Sequence, residues 1–363
     1  MTRTLSRPEL IAWTRLARTP RIGPLTFHRL IARFRTAAAA LEALPRVSSL
    51  NASPEDKALA EIEGLDAIGA RLVACCESDY PPLLAQLDAP APVVAIRGDA
   101  KWLKKPTVAI VGSREGSGSA LLFAERLAAD LGSAGFTVVS GLARGVDAAV
   151  HRGSLETGTV AVLAGGLDHP YPPQNLKLHD AICERGAVIS EAPLGTVARA
   201  RDFPRRNAII SGVSRGVVIV EAALRSGSLI TARAAADQGR DVMAAPGSPL
   251  DPRARGSNAL IKQGATLIED ANDVIVALGE GPPRLRPLSA GSLFTETQAM
   301  PLPAGLPKKI AALLSPTPIH VNDLARLVEA PAGAIAAALT ELELEGRAAS
   351  LPGGYAASSG AAF

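Results

Sequence analysis

"VAIVGSREGSGS", residues 108–119, joins an apolar run to a loop built from glycine and serine. Val108, Ala109, Ile110 and Val111 suit a strand covered on both faces. A dinucleotide fold writes the junction that follows as G-x-G-x-x-G, with an acid about twenty residues later for the ribose hydroxyls. Here the glycines fall as G-x-x-x-G-x-G. The next strand ends not in an acid but in "SGLARGVDAAVH" (140–151), a second glycine loop. The dinucleotide pattern therefore fails at two points. What remains is an anion site, because glycine lets backbone amides approach an oxyanion and a helix N-terminus adds its positive end.

Outward from this stretch, apolar runs alternate with helical segments. The strand-like runs are 107–112, 136–141, 159–165, 187–191, 216–222, 241–247 and 265–270. Segments such as "ALLFAERLAADLGSAG" have helical periodicity and stop at glycine. Strand and helix in alternation predict an α/β fold with a doubly wound, mostly parallel sheet. Residues 5–75 read instead as short helices, with an Ile22-Gly23-Pro24 turn and a weaker second copy in "EIEGLDAIGARLVAC". That pattern suggests a helix-hairpin-helix or sterile-alpha-motif-like module. The stretch 280–305 holds five of the 28 prolines, lacks periodicity and reads as a linker. Beyond it, three helical segments and "RAASLPGGYAA" predict a winged helix. The expected division is 1–78 helical, 79–280 α/β, 281–305 linker and 306–363 winged helix.

The totals narrow the class. Of the 363 residues 47% are hydrophobic but only 3% aromatic, which suits closely packed helices and glycine loops. A net charge of +3 is too small for a global nucleic-acid footprint, so a local patch would have to supply one. Cys75, Cys76 and Cys183 have no metal-binding or disulfide spacing and suit a reducing compartment. No signal-type h-region and no run of eighteen apolar residues is present, so a cytoplasmic chain without a membrane span is expected.

In an open parallel sheet, ligands bind at the carboxyl ends of the strands, where strand order reverses. Four glycine loops are expected at that edge: 112–119 with Gly112, Ser113 and Arg114; 140–151 with Gly141 and Arg144; "RSGSLITA" (225–232) with Ser226 and Ser228; and "PGS" (246–248). A single nucleotide needs one or two phosphate cradles, so four along one edge suit a longer polyanion. Residues 198–212, "ARARDFPRRNAIISG", add Arg199, Arg201, Arg205, Arg206 and Asn207 around an isolated Phe203. Arginines that track phosphates beside a ring that stacks on bases compose a single-strand platform. The alternative is a Phe203 plugged into the core among solvated arginines. No nucleophile–base–orienter set is recognisable and no metal or cofactor is expected; Asp147 and His151 read as a structural i, i+4 pair. The third helix of the winged module carries Glu341, Glu343 and Glu345, which oppose a phosphate backbone and favour a protein-interaction role.

The runs "VAIVGSR", "VVSGLARGVDAAVHRGSL", "TVAVLAGGLDHPYPPQN", "ISEAPLG", "FPRRNAIISG", "SGSLITARAAADQGRDVMAAPGS" and "GSNALIKQGAT" together resemble the DNA-processing protein A (DprA/Smf) family across residues 79–275. The resemblance implies an extended Rossmann-like domain, dimerisation through it, and no enzymatic activity. It implies a single-stranded-DNA-binding mediator of natural transformation that protects incoming DNA and loads the RecA recombinase. By motif position, Gly112, Ser113 and Arg114 match the family's phosphate grip, Phe203 its base-contacting aromatic, and Arg205, Arg206 and Asn207 its basic patch. Where the family commonly has Arg-Asn-Arg, this chain has Arg206-Asn207-Ala208, one basic residue fewer. A competing reading is a nucleotide enzyme of the phosphoribohydrolase type, whose "PGGxGTxxE" loop is absent here. A third, a transcription regulator acting through the winged helix, conflicts with the charge of its third helix.

Overall fold

The computed structural model describes residues 3–47, 50–279, 305–351 and 354–357. Four helices lead: α1 (Arg7–Arg18), α2 (Pro24–Phe34), α3 (Ala37–Val47) and α4 (Glu55–Ala67). Ser6 and Glu9 close a capping box on α1, and Pro24 opens α2 directly after Gly23. The turn read at Ile22-Gly23-Pro24 is thus observed. After α4, Gly69 takes a φ of +67°, a conformation that stops a helix at little cost for glycine.

The chain then leaves helix altogether as β1 (Ala70–Ala74). This corrects the reading of 61–75 as a second helical copy. A short apolar run is ambiguous between helix and strand by periodicity alone, and Gly69 decides it. Next come α5 (Pro82–Ala85) and a strand absent from the sequence reading, β2 (Val93–Gly98). The alternating body follows: β3 (Thr107–Val111), α6 (Gly118–Ser133), β4 (Thr137–Ser140), α7 (Val146–Ser154), β5 (Thr159–Leu163), α8 (Leu176–Arg185) and β6 (Ala187–Ser190). It continues through α9 (Phe203–Gly212), β7 (Gly216–Ile219), α10 (Ser228–Asp237), β8 (Asp241–Ala244), α11 (Arg255–Lys262), β9 (Thr266–Leu267) and α12 (Ala271–Ala277).

The nine strands form one sheet in the order β1-β2-β6-β5-β4-β3-β7-β8-β9. β1 and β2 pair antiparallel with each other, and β2 runs antiparallel to β6. The pairs from β6 to β9 are parallel, as expected for a doubly wound sheet. From β3 the order runs outward through β4 to one side and through β7 to the other, so β3 marks the switch point. Ala109 and Val111 of β3 face one core and Val108 and Ile110 the opposite one, which is why this strand is apolar throughout. A third core joins Leu16, Phe27, Leu44 and Leu65 of the leading helices to Leu72, Val93, Ala161 and Val188 of the sheet. The leading helices therefore cover part of the sheet rather than standing apart from it.

After Gly305 come α13 (Leu306–Leu313), α14 (Val321–Val328), α15 (Ala332–Leu344) and a hairpin of β10 (Ala348–Leu351) with β11 (Gly354–Ala357). Three helices and a two-stranded wing appear in the order the sequence predicts. Apart from Gly305, the expected linker lies outside the described residues. The winged module has its own core around Ile310, Ile335 and Leu339, and it docks on α6. Leu122 of α6 joins that core, Ile319 packs against Gly118, and Arg253 donates to the Ala312 and Leu314 carbonyls at 3.0 and 2.7 Å.

Candidate functional site

The turn after β3 is fastened from within. Ser113 Oγ accepts the Glu115 amide at 3.1 Å, and the Ser113 carbonyl accepts the Val146 amide at 3.1 Å. Gly145 has a φ of +76°, and a Cβ there would come within 2.4 Å of the Ser113 oxygen. The first two glycine loops thus touch, and only glycine permits the approach. Asn175 holds the second loop from outside by donating to the Leu142 and Ala143 carbonyls at 2.9 and 3.1 Å.

In a dinucleotide fold the helix after the first strand offers its N-terminus to a pyrophosphate. Here that position is filled by the chain's own carboxylate. Glu221, just past β7, accepts the Ser117 amide at 3.0 Å and the Ser117 hydroxyl at 2.7 Å at the start of α6. Burial holds the Glu221 carboxyl above its ordinary range, with the Ser117 hydrogen bonds pulling the other way. That helix end is therefore closed to an outside anion.

An open cleft of about 910 Å³ lies at the carboxyl ends of β3, β4 and β7. Its walls include Arg114, Arg144, Tyr171, Phe203, Asn207 and Arg225. The Arg114 and Arg206 guanidiniums lie over the Phe203 ring at 5.0 and 5.3 Å, and Tyr171 meets it edge-on at 6.4 Å. Phe203 is half-buried at the first position of α9, so it is neither a core plug nor a free ring. Asn207, one turn on, donates to the Gly227 carbonyl at 3.2 Å and so fixes the loop before α10. In that loop the Ser226 and Ser228 hydroxyls lie 2.7 Å apart.

Gly112, Ser113, Arg114, Arg144, Phe203, Arg206, Asn207, Ser226 and Ser228 all border this one cleft. Three other candidates are placed differently. Gly141 lies under the cleft, and a Cβ on it would fall 1.7 Å from Arg206 Nη1. Arg201 is 77% exposed, 3.9 Å from Asp202, and does not line the cleft. Arg205 pairs with the Glu191 carboxylate and borders a smaller cavity that also contains Arg18. The "PGS" loop opens on a separate cavity of about 270 Å³ beside the winged module, and Asn258 bonds both the amide and the carbonyl of Gly247.

Arg206 is only 7% exposed and Asp147 4%. They face each other at 4.0 Å, and Asp147 also accepts the Ala143 amide at 3.3 Å. Burial raises the Asp147 carboxyl and lowers the Arg206 guanidinium from their ordinary values, each opposed by the other's charge. Asp147 and His151 are therefore not a pair, since His151 Nδ1 meets Thr159 Oγ1 at 2.8 Å instead. Tyr171, Arg225, Asp147 and Glu221 take parts in the site that their sequence neighbourhoods did not assign. Tyr171 offered a signal as one of three tyrosines, set in "YPPQN" at the end of the run after β5, and Arg225 offered another at the head of the "RSGSLITA" loop.

Residues 71–279 match the family described as DNA recombination-mediator protein A. Residues 7–64 match a DprA-like N-terminal HHH domain and 295–354 a DprA winged helix domain. Protein Smf of Escherichia coli is 38% identical over 283 residues, which cover 76% of this chain and 74% of that protein. DNA processing protein DprA of Streptococcus pneumoniae is 42% identical over 199 residues, 54% of this chain and 70% of that one. The X-ray structure of DNA processing protein A from Streptococcus pneumoniae superposes with a TM-score of 0.59 at 33% identity, covering 70% of this chain and 87% of that chain. DNA processing protein A from Helicobacter pylori, solved for its single-stranded DNA binding mode, superposes with a TM-score of 0.53 at 28% identity, covering 58% and 96%.

Proposed function

The chain belongs to the DNA recombination-mediator protein A family, and from that premise we propose that its central cleft holds single-stranded DNA. The observation that carries this reading is Arg114 lying over Phe203 at 5.0 Å at the mouth of a cleft bordered by further arginines. One cation for a phosphate and one ring for a base, side by side, match the repeat of a single strand. Stacking on such a ring contributes about 1–3 kcal/mol per base and tolerates any sequence. Arg144 and Arg225 extend the cationic rim, and Ser226 and Ser228 border the same cleft. Because Glu221 occupies the N-terminus of α6, a dinucleotide or mononucleotide phosphate has no place there.

The biological role that follows is mediation of recombination in the cytoplasm during natural transformation. The protein shields an incoming strand, acts as a homodimer through the Rossmann-like domain, and loads the RecA recombinase. The winged module serves protein contact rather than duplex reading, because Glu341 on α15 and Glu345 at its C-terminal cap are both exposed. Fluorescence anisotropy over a salt series tests the central claim on single-stranded and duplex oligonucleotides. A preference for the single strand is expected, and Arg114→Ala should make the log–log salt slope shallower by about 0.7, the value of one phosphate contact on a single strand. Equal binding of both substrates, or an unchanged slope, would overturn it.

A further inference from the structure

Not every arginine bordering the cleft is placed to meet a phosphate. Arg206 is enclosed by its own chain on several sides. Its Nη1 lies where a Cβ of Gly141 would be, its guanidinium is 5.3 Å from the centre of the Phe203 ring, and Asp147 stands 4.0 Å away. Both members of the ion pair are more than nine-tenths buried. Asp147 in turn holds the second glycine loop through the Ala143 amide. Arg206 Nε has no hydrogen-bond partner among the described residues. A guanidinium left short of hydrogen bonds in this way is held by packing and charge, not by an optimal donor set.

We propose that Arg206 is a positioning residue, pinned by Asp147 beneath the glycine loop, which fixes the Phe203 ring for base stacking and neutralises no phosphate of the strand. This rests on the single-strand reading of the cleft and assigns the work within it. Arg114 supplies the exchangeable charge, Phe203 the stacking face, and the Asp147–Arg206 pair the rigidity of that face. The buried carboxylate beside Arg206 supports the assignment, since it would repel a phosphate brought to the same guanidinium.

The two roles of Arg206 predict opposite responses to Asp147→Asn, a change that conserves shape. If Arg206 were a phosphate ligand restrained by Asp147, losing the carboxylate would free it, tightening binding and steepening the salt slope. If it positions Phe203, the slope stays at the wild-type value and stacking weakens. The experiment uses the full chain and an oligonucleotide carrying 2-aminopurine, whose fluorescence is quenched on stacking. Salt slope and quenching are read for wild type, Asp147→Asn, the double variant Asp147→Asn/Arg206→Gln, Arg114→Ala and Phe203→Ala. The double variant removes both buried charges together, so neither is left unpaired. Wild-type slopes with reduced quenching and roughly tenfold weaker binding, on the scale of one lost stacked base, are expected for both Asp147 variants. A steeper slope in Asp147→Asn, or a shallower one in the double variant, overturns the proposal. Failure of the cleft reading looks different, because Arg114→Ala and Phe203→Ala would then leave both readouts at wild type.

Discussion

Residues 205 and 206 are adjacent arginines that do different things, and helix geometry explains why. Neighbours on a helix point about 100° apart, so Arg206 enters the protein beneath the cleft while Arg205 turns to Glu191 on the other side of α9. A run of arginines in a sequence therefore cannot be counted as one patch. Phe203 was legible because a ring amid charge is rare in a chain with so few aromatics. The partners of Asp147 were not, because its i, i+4 neighbour His151 suggested a pair that the fold does not make. His151 has its own consequence. Burial pushes its imidazole down from 6.5 to about 3, and Nε2 has no partner among the described residues. The unfolded chain takes up a proton below about 6.5 that the folded chain refuses, so stability falls as pH drops from there towards 3. The slope is up to about 1.4 kcal/mol per pH unit for this one group. Asp147 and Glu221, with raised carboxyls, carry the opposite sign, being most stabilising when protonated at low pH. Urea unfolding of wild type and His151→Gln between pH 7 and 5 isolates the histidine by difference. Parallel stability curves would dismiss it.

At the scale of elements, the parallel strands were readable because burial on both faces makes them continuous runs of Val, Ile and Ala. The antiparallel edge was not. β1 directly follows a helix, separated from it by Gly69, and β2 lies beyond a proline cluster in a segment without helical alternation on either side. The glycine loops stand at the strand ends as their sequences predict, yet those sequences do not say that the fourth is tied back by Asn258 into another cavity. The docking of the winged module was equally hidden, since it depends on a side chain far away in sequence. Arg253 is held by both oxygens of Asp251 and reaches the Ala312 and Leu314 carbonyls at the C-terminal end of α13. Those carbonyls have no helical partners, so a cation there both donates and meets the negative helix end. Arg253→Ala should weaken the docking by about 1.5–3 kcal/mol, the range for hydrogen bonds to a charged group. Hydrogen exchange would show it as faster exchange in α13 and the first turns of α6, with β3, β4 and β5 unchanged. Uniform acceleration across the sheet would instead mean that Arg253 supports the whole domain.

The three parts of the molecule differ in how far each depends on the sheet. The winged module closes a core of its own and touches the rest mainly through α6 and Arg253. The leading helices do not, because Leu16, Phe27 and Leu65 share one core with the outer strands, and Trp13 donates to the Pro92 carbonyl at 2.9 Å ahead of β2. Removing residues 1–78 would strip β1 from β2 and expose Val93, Ala95, Ala161 and Val188 on that face. Each fully buried aliphatic of Val or Leu size contributes roughly 1.5–3 kcal/mol, and a domain holds only about 5–15 kcal/mol in total. Losing the contacts of Val93 and Val188 alone, with a bare strand edge added, removes a large part of that margin. A chain of residues 79–363 should therefore aggregate or unfold without cooperativity. A chain of residues 1–279 should keep a cooperative transition and the salt slope of single-strand binding, because the cleft is built wholly from residues before 232. Thermal unfolding and sedimentation of the two truncated chains decide the matter. If 79–363 proves soluble and melts cooperatively, the leading helices are an independent module and the shared core contributes little.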